Sequence, residues 1–540
     1  MIRPDDAEGL HNRGTALLAQ RRYEEALASY DKALAIRPGY IAALHCRGIV
    51  LRNLNRPAEA LASHDRALAI RPDDAEGLYV RGNALLALKR YAEALTSFDR
   101  ALAIHPGYVA ALHNRGIALR YLRRAVEALA SHDRALAIRP GDAEGLYNRG
   151  IVLFALKRPE EALAAYDKAL VLDPDCAKAF NNRGNVLFEL ERYGEAIASY
   201  DKALAIFPDY VEALHSRGTI AMRILRRPQE ALASHDRALA IRPNDADGHY
   251  NRGISLFALK RLEEALAAYD KALALDPNHA EALRSRGTVL RMLKRSEEAI
   301  ASYRQALDKG GDSEEIKYLL AGLSAAASPI TAPRKFITEL FDQCADNFEE
   351  HLVSVLKYQA PALISDAVAR FVSRAGASAG NFDILDLGCG TGLVGERLRP
   401  LARTLTGVDL SPNMLEQARK RKIYDQLVCD ELTEFLQAQA GRFDLVVAGD
   451  VFIYIGDLSK VFHGVRGALR DGGLLGFSVE VSHGEDFALG THLRYAHAVG
   501  YLQKLANDNR LALESIESGA LRQEEGMDVD GRVLVMRAIA

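Results

Sequence analysis

The chain has 540 residues, 49% of them hydrophobic and 26% charged, with a formal net charge of -3 at pH 7. That composition is ordinary for folded protein and excludes disorder over most of the length. Residues 331–540 hold 22 Lys+Arg against 29 Asp+Glu, and residues 1–330 hold 47 against 43, so neither half is a basic platform and no nucleic-acid partner is expected.

The five cysteines, Cys46, Cys176, Cys344, Cys389 and Cys429, form no CxxC pair. Neither a zinc or other metal site nor a disulfide framework is expected. The opening MIRPDDAEGL lacks the charged and apolar regions of a signal peptide. No run approaches about 18 apolar residues, and VVAGDVFIYIGDL is broken by Asp450 and Asp457. No membrane partner is expected, and scattered thiols fit a reducing, cytoplasmic setting.

From Ala7 the chain repeats itself with a period of 34. Nine copies start at Ala7, Ile41, Ala75, Val109, Ala143, Ala177, Val211, Ala246 and Ala280, the seventh with one extra residue near Ala221–Met222. Every copy has Gly at its eighth position, from Gly14 to Gly287, and Ala where its second helix begins, from Ala26 to Ala299. Ala and Leu at 3.6-residue spacing predict two amphipathic helices per copy. The Gly and Ala let the helices cross closely, and a Pro such as Pro38 or Pro174 stops the second one. Spacing and residues resemble the tetratricopeptide repeat over about 7–313, which implies helix pairs stacked into a right-handed superhelix. One departure is Arg before the Gly (Arg13, Arg47, Arg81 and onward), where that family often has an aliphatic residue. SEEIKYLLAGLSA, from Ser313, reads as a polar-faced capping helix. Residues 2–10, IRPDDAEGL, repeat residues 70–78 letter for letter. Ile2–Asp6 therefore reads as the tail of a repeat whose helices are absent, and the array is expected either to begin upstream or to have lost earlier copies.

The first helices are expected to line the concave face. Position six carries Asn12, Asn114, Asn148, Asn182 and Asn251 in five of the nine copies. Amides donate to and accept from an extended backbone, and similar ladders in the repeats of O-GlcNAc transferases imply a groove for a protein or peptide. The other reading is that these Asn tie neighbouring repeats. Position five is not the Lys/Asn set of a carboxylate clamp. His64, His132 and His235 stand where other copies have Tyr or Phe and are expected to be packing residues.

AAASPITAPRK, residues 325–335, breaks the pattern. The expected division is a repeat solenoid with its capping helix over 1–327, a linker over 328–335 and a second domain over 336–540, with a fragment of 330–540 folding alone. After helices at about 334–351 and 359–373, strands DILDLGC, TLTGVDLS, QLVCDEL, FDLVVAGDVF and GLLGFSVE alternate with helices. The fold class is thus an α-solenoid followed by an α/β doubly wound, mainly parallel sheet, with a ligand at the carboxyl ends of its first strands.

The turn after the first strand reads Asp386-Leu-Gly388-Cys-Gly390-Thr-Gly392. It is not GxGxxG, because position 393 is Leu. An acid inside the strand would repel pyrophosphate and suits a ligand with an amino group. Asp409, 21 residues past Gly388, lies at the distance of a ribose-binding carboxylate. DLGCGTG, GVDLS, VCDEL and FDLVVAGDVF together resemble class I S-adenosylmethionine-dependent methyltransferases over about 334–540. The resemblance implies Asp386, Gly388, Gly390 and Gly392 at the methionine moiety, Asp409 on the ribose, Asp430 near adenine and Asp450 beside the methyl. FDQCADNFEEHLVSVLKYQAPALI is similar to a helical lid in which Phe341, Phe348 and Tyr358 either close over S-adenosyl-L-methionine or form the lid's own core. Tyr454, His483, Tyr495 and His497 are polar aromatics after the fourth and fifth strands, and none is singled out as catalytic. Cys389 reads as a small filler.

Three readings follow: a methyltransferase whose repeats bind a protein or peptide, a small-molecule methyltransferase with the repeats as scaffold, and a non-catalytic cofactor-binding adaptor. The intact Gly/Asp set weighs against the third.

Overall fold

The computed structural model describes residues 6–345, 348–350, 356–374, 380–484, 486–524 and 527–540. Ile2–Asp5 of the duplicated opening string lie outside the described residues. The chain divides into two compact units, Met1–Leu275 and Asp276–Ala540.

Among its described residues the first unit holds eight helix pairs. In the fifth, Ala143–Ala155 is joined to Pro159–Leu172. Asp142 accepts the N–H of Gly145 and caps the first helix, and Pro159 opens the second, where a missing N–H costs nothing. Between the two helices of each pair one residue takes a left-handed backbone: Arg21, Asn55, Lys89, Arg123, Lys157, Glu191, Arg226 and Lys260, with φ between 52° and 60°.

The eighth-position glycines are explained by space. A Cβ on Gly150 would stand 2.7 Å from the Tyr166 ring, one on Gly82 2.4 Å from Phe98, and one on Gly48 2.2 Å from His64. The second helix of each repeat thus lays a ring flat against the backbone of the first. Ala26, Ala60, Ala94, Ala128, Ala162, Ala196 and Ala231 are fully buried at the same crossing.

The arginine that departs from the family pattern joins one repeat to the next. Arg47 gives Nε to Asp31 of the preceding repeat at 2.6 Å and Nη1 to Ser63 of its own. Arg81, Arg115, Arg183 and Arg217 make the same two contacts. Arg149 and Arg252 keep only the aspartate, because Ala165 and Ala268 stand where the other copies have Ser.

His64, His132 and His235 are buried, as packing residues would be, and two of them are also paired. The Nδ1 atoms of His45 and His64 are 3.4 Å apart, and those of His113 and His132 3.3 Å. The outer histidine of each pair reaches the helix-capping aspartate of the next repeat: His45 to Asp74 at 3.1 Å and His113 to Asp142 at 2.8 Å. His215 reaches Asp245 at 3.0 Å in the same way. Burial holds His64 and His132 at about 3 and His235 at about 4, so all three are neutral at pH 7.

The second unit begins with the ninth repeat, Ala280–Met292 and Ser296–Asp308, followed by the helix Ser313–Gly322. The unit boundary falls before the 328–335 segment: Arg291 of the ninth repeat and Tyr318 of the helix after it bond to the Thr491 and Leu493 carbonyls of the second domain. The helix Ser313–Gly322 keeps Ser313, Glu314 and Lys317 exposed and buries Ile316, Tyr318, Leu319, Leu320, Ala321 and Gly322. Tyr318 lies against Phe336 and Tyr495.

Helices Arg334–Cys344 and Ala360–Arg374 precede the sheet; the remainder of the 334–351 stretch is described only at Phe348–Glu350. Strands β1 (Phe382–Leu387), β2 (Ala402–Asp409), β3 (Gln426–Cys429), β4 (Phe443–Ala448) and β5 (Leu469–Val481) pair in parallel in the order β3-β2-β1-β4-β5. The third strand stops at Cys429, because Glu431 caps a new helix, Leu432–Gln437. Four further strands follow: β6 (Phe487–Leu489), β7 (Tyr495–His497), β8 (Leu511–Glu524) and β9 (Met527–Ala538). Strand β9 runs antiparallel to both β5 and β8, while β6 and β7 form a hairpin whose β7 continues beside the end of β5. One face of the sheet is covered by Ile364, Val368 and Phe371, and the other by Phe462, Val465, Leu502 and Leu505. Among the described residues no helix is long and apolar enough to cross a membrane.

The glycine–ring contact predicts opposite signs for two helical Gly→Ala changes. Helix propensity alone favours Ala by up to about 1 kcal/mol. Gly194 has nothing within 4 Å of a built Cβ, so Gly194→Ala raises the urea midpoint. Gly150→Ala must push Tyr166 aside and lowers stability by roughly 1–3 kcal/mol. Equal shifts in the two variants would refute the packing account.

Candidate functional site

The carboxyl ends of β1, β2, β3 and β4 bring Asp386, Asp409, Asp430 and Asp450 to one edge of the sheet. The turn after β1 is left-handed at Gly388, Gly390 and Gly392, with φ of 61°, 53° and 97°, a run that only glycine adopts without strain. A Cβ at Gly388 would strike Val451, whereas one at Gly390 would meet nothing within 4 Å. The backbone at Gly390 thus faces open space.

Asp409 holds this turn. Its Oδ2 accepts the Gly390 N–H at 2.8 Å and its Oδ1 the Ser411 N–H at 2.9 Å. A carboxylate offers about four lone pairs, so Asp409 keeps acceptor capacity for a ligand. Ser411 in turn donates to Asp342 of the helix Arg334–Cys344 at 2.5 Å.

Asp386 is buried, and its Oδ2 accepts from the Tyr424 hydroxyl at 2.7 Å. Its Oδ1 is buried without a partner, as is the neighbouring Thr391 Oγ1. Burial raises Asp386 to about 7; Asp409 adds to the rise and the Tyr424 hydroxyl opposes it. An acceptor and a hydroxyl, both unsatisfied and close in sequence around a glycine turn, match a ligand carrying an ammonium and a carboxylate. Arg421 braces the turn from outside, with Nε on the Thr391 carbonyl at 2.7 Å and ion pairs to Glu396 and Glu349.

Asp430 follows β3 and accepts the Glu431 N–H at 2.8 Å. Asp450, after β4, has a left-handed backbone with φ of 54°. Its Oδ1 accepts from the Ser478 hydroxyl at 2.9 Å and its Oδ2 from Arg522 Nη1 at 2.8 Å. Arg522 is 2% exposed and also pairs with Glu480 and Glu524. Sequence reasoning did not find Arg522 or Tyr424. Arg522 lies 72 residues beyond Asp450, and no motif spacing marks it. Tyr424 sits in RKIYDQ, two residues before β3, which has no glycine or acid pattern to draw the eye.

Phe341 packs edge-on to Phe348 and to Tyr454, with ring centroids 5.8 and 5.4 Å apart, and the Tyr358 hydroxyl stands 3.6 Å from a built Cβ on Gly449. Two of the polar aromatics are engaged in the fold. His497 Nε2 donates to the carbonyls of Ile455 and Gly456, and burial lowers its pKa to about 4. The Tyr495 hydroxyl donates to the Pro329 carbonyl at 2.8 Å. His483 is exposed. Cys389 is buried, with its sulfur against Gly407. No group of three His, Cys, Asp or Glu among the described residues is placed to hold a metal.

On the repeats, the position-six amides divide. Asn114 donates to Asn83 Oδ1 of the preceding repeat at 2.6 Å, and Asn182 to the Tyr147 hydroxyl at 3.2 Å. Asn12 is exposed and Asn148 and Asn251 are half-buried, and their side chains have no hydrogen-bond partner among the described residues.

A family model described as a methyltransferase domain matches residues 385–475, and tetratricopeptide repeat models match 7–40, 47–109, 113–175, 147–211, 246–279 and 268–301. Methyltransferase-like protein 27 from Homo sapiens is 38% identical over 109 residues, covering 20% of this chain and 43% of that protein. A ubiquinone biosynthesis O-methyltransferase from Coxiella burnetii is 30% identical over 99 residues, covering 18% and 42%. This chain thus spans less than half the length of these relatives. Among solved structures, YrrB, described as a TPR protein with an unusual peptide-binding site, is 28% identical with a TM-score of 0.30, covering 35% of this chain and 97% of that one. A tetratricopeptide repeat protein from Parabacteroides merdae is 23% identical with a TM-score of 0.36, covering 46% and 97%. The chain therefore joins tetratricopeptide repeats to a methyltransferase domain.

Proposed function

We propose that the domain transfers the methyl group of S-adenosylmethionine and that the repeats bind the protein or peptide that supplies the acceptor. The observation that carries the cofactor assignment is that Asp386 Oδ1 and Thr391 Oγ1, at the two ends of one glycine turn, are both buried without a partner, where Gly390 leaves the backbone open. Asp386 is the acceptor for the ammonium of the methionine moiety, and Thr391 the donor to its carboxylate. Asp409 takes the ribose hydroxyls on its remaining lone pairs, Asp430 flanks the adenine, and Asp450 stands on the methyl side.

When bound, the cofactor supplies a methyl already activated on a sulfonium, so alignment and exclusion of water are what the protein must add. Phe341, Phe348 and Tyr454 form an apolar wall, and Ser478 and Arg522 hold Asp450 in one orientation. Asn12, Asn148 and Asn251 are the groove amides available to a bound backbone. The likeness to an O-methyltransferase supports a second reading, in which the acceptor is a hydroxyl on a small molecule and the repeats serve as scaffold.

Titration calorimetry with S-adenosylmethionine tests the site. Asp409→Ala weakens binding by roughly 1–3 kcal/mol. With Asp386 at about 7 in the free protein, the proton it carries below that pH must leave before an ammonium can bind. Affinity therefore falls as pH drops from about 7 to 5, by up to about tenfold per unit, with proton release on binding. Asp386→Asn binds more weakly and loses this pH dependence; a pH-independent parent affinity would overturn the assignment of Asp386.

Incubating the chain with methyl-labelled S-adenosylmethionine and extract from cells lacking it separates the two readings. Label in protein supports the first, label in the small-molecule fraction supports the second, and no transfer at all overturns the enzymatic reading. In the first case Asn148→Ala lowers protein labelling at unchanged stability. Asn114→Ala and Asn182→Ala each cost roughly 0.5–1.5 kcal/mol of stability, because their partners lie in the repeat before.

A further inference from the structure

The hairpin β6–β7 does two things within a few residues. Its tip docks on the end of the repeats. The Tyr318 hydroxyl donates to the Leu493 carbonyl at 2.6 Å in a buried contact. Leu493 is itself in the left-handed region, with φ of 60°, a conformation that a leucine holds only when its surroundings fix it. Those surroundings include Gly322, whose built Cβ would lie 2.5 Å from Leu493 Cδ2. Arg291 of the ninth repeat donates to the Thr491 carbonyl at 3.2 Å.

The next residue points the other way along the same ribbon. Arg494 pairs with Glu524, Glu524 with Arg522 Nε at 2.7 Å, and Arg522 with Asp450 at 2.8 Å. Arg494 also lies beside the Tyr454 phenol, which burial drives upward and this guanidinium pulls down. A second strut is made of backbone. Ala332 N–H donates to the Tyr454 carbonyl at 3.0 Å, and the Ile330 carbonyl accepts from Gly456 and Asp457, both at 2.9 Å. Both struts start from the chain just after the last repeat and end on the loop that follows β4.

We propose that Tyr318 is a positioning residue for the methyl side of the site: by fixing the Leu493 backbone it sets Arg494, and through Glu524 and Arg522 it sets Asp450 and Tyr454. The proposal rests on the reading of Asp450 and Tyr454 as part of that site. It makes the ninth repeat and the helix Ser313–Gly322 a working part of the methyl-transfer unit and not a detachable adaptor.

The test uses the full chain with 3-fluorotyrosine at position 454, read by fluorine NMR, together with hydrogen exchange of residues 449–457. Tyr318→Phe removes the strut's hydrogen bond, and Gly322→Ala, one turn along the same helix, pushes the Leu493 side chain with Tyr318 intact. Both variants shift the fluorine resonance and speed exchange at 449–457, Tyr318→Phe by about fivefold to tenfold, the range set by one lost hydrogen bond, while exchange over 382–387 in β1 stays as it was. An unmoved fluorine signal in both variants overturns the proposal, even if the melting temperature falls, because the contact is then only a structural clamp. S-adenosylmethionine binding is measured in the same proteins. A parent chain that does not bind it defeats the reading of the site, whereas a parent that binds it with an unmoved fluorine signal defeats only the positioning role.

Discussion

Every joint described between the first repeats turns on one arginine. It stands where a side chain must cross from the first helix of a repeat to the second helix of the repeat before, and it carries donors for both neighbours. Each pair is half exposed on the aspartate side, so each contributes only a few tenths to about 1 kcal/mol. What the arginine adds is direction. Ring-on-glycine contact holds the two helices of a repeat together but does not by itself fix the rotation of one repeat against the next. A planar guanidinium bound to Asp31 on one side and Ser63 on the other does.

The sheet half solves a related problem with backbone. Left-handed glycines fold the chain back sharply after β1, and Asp409, arriving from β2, pins the turn by its amide. The site is therefore assembled from strand ends that sequence separates widely, and no helix or loop has to carry it alone. The buried Arg522 extends the same logic to β8. It ties three carboxylates from β4, β5 and β8 at one point, where any of them left unpaired would be expensive.

Much of this was legible in the sequence because it is periodic or local. The 34-residue period, the Gly–Ala crossing and the DLGCGTG turn are patterns within one stretch of chain, and each has a direct physical cause. The arginine before each glycine was visible as a departure, but its reason was not, since its partners lie 16 residues away on either side, on different helices. Strands β6 to β9 and Arg522 were missed for a like reason: their partners are distant in the chain, and their alternation is weak in strings such as LALESIESGALRQE. The exposed Ser313, Glu314 and Lys317 of the helix Ser313–Gly322 were legible as a polar face, but what covers Tyr318 and Gly322 was not, because the hairpin residue Leu493 lies 175 residues beyond Tyr318.

The paired histidines have a consequence for how such an array changes length. Repeats two, four and seven carry His45, His113 and His215, and each is followed by a repeat whose first helix is capped by the aspartate that the histidine needs. Removing the repeat that follows a histidine leaves that histidine without its aspartate, whereas removing both members of such a pair takes the two away together. The second and third repeats together, and the fourth and fifth, are therefore self-contained units of 68 residues each. Gain or loss of either unit as a whole leaves the remaining histidine–aspartate contacts intact.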